Sequence, residues 1–288
     1  MADKTFFTVM IESVEPEQSF IQVFWTSADH PGQAIQKILR ACARLGIKNP
    51  HACELDSYDF NSMPRSVVRN TSLDIYYSRA RNYFPTEKTF LAPDGIVKAF
   101  LNGKYDYDLI REGFHQRRTK AGIYEIEVVV ERERLFDTFV QLIKRLSSIK
   151  VFWIKLAADW EDAGREELWT NEKLNTVELI ADFLKACWND TVANGHVALT
   201  AYSAVGQTNL LIDTHKTIKI LTKSATVQRK MSAALRRLGF EQLSKFHSLE
   251  YGYYHWHYRP SRSKSRTRLI GALRRGGFTL WKTCVVTE

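Results

Sequence analysis

The side chains with chemistry to offer gather in the last third of the chain. Asp213, Thr214, His215 and Lys216 are consecutive. An aspartate beside a histidine can fix its tautomer, and a lysine can steady a developing anion. No nucleophile or ligand set adjoins them in sequence. The plainer reading is a polar turn closing a hairpin, with Asp213 supplying an Asx-type hydrogen bond. His255 and His257 are two apart, which on a strand sends both side chains to one face. His196 or His215 could join them from a neighbouring strand. Yet no Cys pair and no HxxxH helix accompanies them, and YGYYHWHYR also reads as an aromatic-rich strand. No metal and no cofactor is therefore assigned.

A second constellation follows directly. Tyr253, Tyr254, Trp256 and Tyr258 lead into Arg259, Arg262, Lys264, Arg266 and Arg268. Aromatic faces stack on bases, and cations neutralise phosphates with release of counterions. The competing reading is a half-buried strand followed by a solvated connection, because no RNP motif, GXXG clamp, zinc finger or helix-turn-helix is present. A third group is acidic: Asp159, Glu161, Asp162, Glu166 and Glu167, with Trp160 and Trp169 around them. Glycosidase chemistry would need two of these carboxylates across a cleft. A charged surface able to dock a basic partner is simpler. Nucleotide chemistry has no support, since neither GxGxxG nor GxxxxGK[ST] occurs. A GxSxG elbow is missing as well.

Hydrophobic periodicity supplies the elements that must hold these groups. Phe6–Glu12 and Phe20–Thr26 alternate around Glu15-Pro16-Glu17 and predict a hairpin. A helix follows, capped by Asp29 or His30, with Pro31 in its first turn, an Ile35, Ile38, Leu39, Cys42, Leu45 stripe, and Gly46 past its end. Cys53–Tyr58 reads as a further strand. A weakly periodic helix is expected within Lys104–Lys120, running into a polar linker at Thr119–Gly122. Strands are then expected at Ile123–Glu131, Val151–Leu156 and Leu249–Tyr258, and helices at Leu135–Leu146, from Asn175 to Trp188, and at Ala225–Leu238. Asn175 and Glu178 have capping-box spacing. Gly195–Thr222 supplies strands and tight turns. ALRRLGF at Ala234–Phe240 recurs as ALRRGGF at Ala272–Phe278, predicting two basic helix ends with glycine stops.

The expected fold class is α+β, in two mixed lobes. Residues 1–121 form one domain. Residues 122–288 form a βαββαβ, ferredoxin-like domain with an appended basic helix and strand. Of the +9 formal charge, +7 belongs to residues 259–288 and +2 to all the rest, so the basicity is local. Four scattered cysteines with no CxxC suit a reduced, cytoplasmic protein. No apolar run reaches the roughly 20 residues that cross a bilayer.

With no complete reaction signature, the leading expectation is a non-enzymatic protein that binds a macromolecular partner. An inhibitor or a toxin-neutralising immunity protein is one form of it. The alternative is an RNA- or DNA-binding protein using Tyr254, Trp256, Tyr258 and the five cations after them. A polar site around His196, Asp213, His215 and Lys216 is the third possibility.

Overall fold

The structure is a computed structural model and describes residues 5–13, 19–84, 90–98, 110–249 and 255–285. The chain divides into two compact units. One comprises Met1–Thr89 with Lys98–Tyr107, the other Phe90–Val97 with Asp108–Glu288.

In the first unit β1 (Thr5–Ser13) and β2 (Ser19–Ala28) form the expected hairpin, in continuous antiparallel register from Thr5↔Ala28 to Ser13↔Phe20. Helix α1 (Pro31–Arg44) starts at His30, whose Nδ1 accepts a hydrogen bond from the Gln33 amide at 3.3 Å. It closes at Gly46, which takes a φ of 73° that a side chain would resist. Strands β3 (Pro50–Ser57), β4 (Val67–Asn70), β5 (Ile75–Ser78) and β6 (Asn82–Phe84) complete an antiparallel sheet. Its order is β3-β1-β2-β5-β4, with β6 also on β2. Val9, Ile11, Phe20 and Phe24 meet Ile38, Ala41 and Cys42 of α1 in one core.

The second unit carries the functional candidates. In chain order its elements are β7 (Ile96–Lys98, whose last residue belongs to the first unit), β8 (Gly113–Arg118), β9 (Tyr124–Val129), α2 (Arg132–Ile143), β10 (Val151–Leu156) and β11 (Arg165–Asn171). They continue with α3 (Val177–Ala186), β12 (Val197–Ser203), β13 (Thr208–Ile212), β14 (Ile218–Thr222), α4 (Ala225–Arg237), β15 (His255–His257), α5 (Arg266–Arg275) and β16 (Thr279–Val285). Eight strands make one sheet, ordered β16-β11-β10-β12-β13-β14-β9-β8. Alternate residues such as Ile126, Phe152, Ile154, Trp169, Leu199, Leu210 and Ile220 share a core with Phe139, Leu142, Leu184, Met231, Leu235 and Leu273 of the helices. β15 pairs with β7.

The coarse class is as expected: mixed α and β, with two large antiparallel sheets, the two-stranded β15–β7 pair and five α-helices among the described residues. The finer ferredoxin-like arrangement is not confirmed. A βαββαβ unit has four strands, whereas the sheet here has eight, in an order that interposes β12, β13 and β14 between β9 and β10. The extra strands come from two misread stretches. Gly113–Arg118, expected to be helical, is β8, because its alternation of Phe114 and Gln116 inward with His115 and Arg117 outward wins over a weak helical period. Thr119–Gly122 is the turn joining it to β9, with the Thr119 amide donating to Ile123 O at 2.8 Å. The acidic stretch from Arg165 onward is β11. Thr176, not Asn175, caps α3, accepting from the Leu179 amide at 3.3 Å. Of the strand expected over Leu249–Tyr258, residues 250–254 lie outside the described residues, and His255–His257 is extended.

The sequence echo is a structural echo. In α4 the Phe240 amide donates to Leu235 O (3.0 Å) and Gly239 to Arg236 O (3.1 Å). In α5 Phe278 donates to Leu273 O (2.9 Å) and Gly277 to Arg274 O (3.1 Å). Gly239 and Gly277 have φ of 88° and 83°. Each motif ends its helix and buries its phenylalanine, both 3% exposed.

Candidate metal centre

Three side chains distant in sequence converge at one end of the large sheet. Antiparallel pairing of β10 with β12 sets Leu156 opposite Val197. The residues just after β10 and just before β12 therefore meet, and the Ala157 amide donates to His196 O at 2.9 Å. Asp159 lies on the first of these segments and His196 on the second. His257 arrives from β15 because the chain crosses there through two glycines. The Gly195 amide donates to Tyr258 O, and the Tyr258 amide to Gly95 O, both at 2.8 Å. A Cβ on Gly195 would lie 2.7 Å from the Gly95 carbonyl carbon and 3.1 Å from Tyr258 N. Gly95 itself has φ +89°. Only glycine allows this approach.

The result is a compact donor set. One ligand atom each from Asp159, His196 and His257 lie within 4.8 Å of one another. Asp159 Oδ2 is 3.7 Å from His196 Nδ1 and 3.5 Å from His257 Nδ1. These separations exceed the roughly 2.7–2.9 Å of a charge-assisted hydrogen bond. They are close to the edge of a tetrahedron around zinc, about 3.4 Å for bonds of about 2.05 Å. The imidazoles beside Asp159 hold its carboxyl well below the usual carboxylate range, so it is an anionic donor at any ordinary pH. The two histidines are largely buried while the Asp159 side chain is 60% exposed, which leaves one side of the cluster open to solvent.

Supporting groups fix each member. The Trp160 ring, 1% exposed, stacks on His196 at 5.8 Å with 12° between planes. Glu161, held at φ 53°, accepts from the Arg266 amide with both carboxylate oxygens (3.1 Å each) and faces Arg259 Nη2 at 3.5 Å. The buried Arg266 guanidinium donates to Ala157 O and, at 2.9 Å, to Arg165 O. The loop carrying Asp159 is thus clamped at both ends by the start of α5. Beneath His196, the fully buried Lys216 ammonium donates to Val197 O (2.9 Å) and Thr191 O (3.3 Å). Burial pushes its pKa down to about 7, against the pull of Asp213 and Asp94. His215 packs against His257, ring centroids 4.9 Å apart.

The residues singled out from sequence therefore divide. His196 is in the cluster, and His215 and Lys216 border it. Asp213 is the expected turn residue, accepting from the Thr217 amide at 2.9 Å and pairing with Lys219 at 2.8 Å. Of the aromatic-basic set, Tyr254 and the side chains of His255 and Trp256 lie outside the described residues. Tyr258, Arg259 and Arg266 are buried and serve the fold. Lys264 is tied to Asp190, its amide at 2.7 Å and its ammonium at 2.5 Å. Arg262 and Arg268 are exposed. In sequence Asp159 is one acid among five. The signal that singles it out is positional, for of the five it lies nearest the end of β10, whose neighbour β12 begins just after His196.

Compared with protein-family models, with curated proteins and with solved structures, the chain matches none. Among the described residues no helix is long and apolar enough to cross a membrane.

Proposed function

We propose that the protein binds a divalent transition-metal ion through Asp159, His196 and His257. The observation that carries this reading is the convergence of one carboxylate and two imidazoles to within 4.8 Å. Two nitrogens and one oxygen form a borderline donor set suited to zinc or iron(II) rather than to thiophilic ions or to calcium. Three protein ligands with a solvent-facing fourth position is the layout of reactive zinc sites, where structural sites are closed by four. An ion there would act as a Lewis acid and lower the pKa of a bound water to about 7. Isothermal titration of the chelator-treated protein with zinc tests the reading. One saturable site per chain is expected, lost in His196→Ala and His257→Ala and weakened in Asp159→Asn. Binding unaffected by all three substitutions refutes it.

Recognition of a macromolecular partner is a second reading, favoured by Trp281 and Leu280, 64% and 46% exposed on β16. Trp281 also lies 5.9 Å from Trp153. A protein partner fits this better than nucleic acid, because Arg259, Lys264 and Arg266 already spend their charge inside the fold. Trp281→Ala should abolish any stoichiometric capture made by the unaltered protein. Capture undiminished by that change removes the β16 surface from the argument.

A further inference from the structure

A cleft in the first unit is lined by three cations. It measures about 160 Å³ and is lined by Lys37, Arg40, Ala41 and Arg44 of α1 and by Ser72 and Leu73 of the β4–β5 turn. Spacings of three and four set the three cations on one face of the helix, and α1 contains no acidic residue at all. Lys37 is already engaged, donating to Asp74 Oδ2 at 2.5 Å and to Ser27 O at 3.4 Å. Arg40 and Arg44 form no ion pair with any described residue, and both are exposed. Two uncompensated guanidinium groups one helical turn apart thus share a concavity with one half-neutralised ammonium.

We infer that this cleft binds a phosphate or phosphate-ester group, gripped by Arg40 and Arg44 and backed by Lys37. A planar guanidinium fork matches the oxygens of a phosphate two at a time. The size agrees, because clefts that enclose a drug-sized molecule run to roughly 300–1,000 Å³. This one takes a group and not a whole ligand. Asp74 pairs with Lys37 and limits the local charge, so that the two arginines define where the anion sits. The phosphate could come from a small phosphomonoester or from a polynucleotide backbone, and the chemistry of the grip is the same. The inference is independent of the metal centre, which belongs to the other unit.

Amide chemical shifts of the full-length protein, titrated separately with inorganic phosphate, a phosphomonoester and a single-stranded oligothymidine, test it. Saturable shifts confined to Lys37–Arg44 and Thr71–Asp74 are expected. Arg40→Ala with Arg44→Ala should weaken them about tenfold or more, the effect of losing charge-assisted hydrogen bonds. Arg40→Lys with Arg44→Lys should fall between, since charge remains and the fork is lost. Circular dichroism of each variant verifies folding, which exposed positions should preserve. Response to inorganic phosphate or to the monoester identifies a small ligand. Response to the oligomer alone identifies a backbone phosphate. The inference is overturned if no probe gives saturable shifts, if sodium chloride at equal ionic strength reproduces them, or if the double alanine variant responds as the original does.

Discussion

Replacing Gly195 by alanine tests whether the proposed metal centre depends on the crossing of two backbones. The new Cβ would lie 2.7 Å from the Gly95 carbonyl carbon. Carbon atoms settle at about 3.5–4.0 Å, and the Cβ would overlap the Gly95 carbonyl oxygen as well, so the two segments must separate by at least about 1 Å. No side-chain rotation can relieve the contact, because both partners are backbone. The hydrogen bonds Gly195 N–H to Tyr258 O and Tyr258 N–H to Gly95 O, both 2.8 Å, go with it. At about 1 kcal/mol net each, the loss is about 2 kcal/mol. For a unit of this size that lowers the melting temperature by about 4–8 °C. The functional effect should be larger, since metal ligands tolerate only about 0.2 Å of misplacement and His257 is adjacent to Tyr258. Differential scanning fluorimetry and zinc titration of the variant measure both quantities. A variant with unchanged melting temperature and unchanged zinc affinity would refute the argument that this crossing positions His257.

Other consequences are as direct. Gly271 lies inside α5, where a Cβ meets only Arg275 Nη1 at 3.5 Å. Gly271→Ala should therefore stabilise by about 0.5–1 kcal/mol in urea denaturation, the opposite sign to Gly195→Ala. Lys216 links stability to pH. Its amine has a pKa of about 7 when folded and 10.5 as the ordinary value, so between these limits the unfolded chain holds more protons. Stability should rise with pH across that window, by about 1.4 kcal/mol per unit at most, and be flat below it. Lys216→Met should remove the slope in denaturant titrations run at several pH values. Burial pushes the Cys42 thiol up to about 12 and Cys53 well above its usual range. Peptide mapping after native-state labelling at pH 8 should find Cys284 modified and these two only after unfolding.

Much of the framework was legible because local signals and tertiary demands agreed. The β1–β2 hairpin, α1 with its His30 cap and Gly46 stop, and the paired ALRR–Gly–Phe endings all read directly from the sequence. The neighbourhood of His257 with His196 and His215 was open as one option among several, since their strands could be placed but not ordered. Order was what was missing. The β10–β12 pairing and the approach of β15 are invisible in periodicity, and together they distinguish Asp159 from Glu161, Asp162, Glu166 and Glu167. The basic run misled for a related reason. Sequence shows that Arg259 and Arg266 are charged, but not that Glu161 and the Ala157 carbonyl lie folded against them.

The clamp on the Asp159 loop also has a timetable. Arg266 holds Ala157 O across 109 residues of chain, and β16 closes the edge of β11 over the same separation. At about 5–20 residues per second, a ribosome needs roughly 5–20 s to make that intervening chain. Until β16 is made, that edge of β11 is open, and until Arg266 is made, the loop bearing Asp159 lacks its anchor. The three proposed ligands coexist only once His257 has been made, and the loop that carries the first of them is clamped only when Arg266 follows.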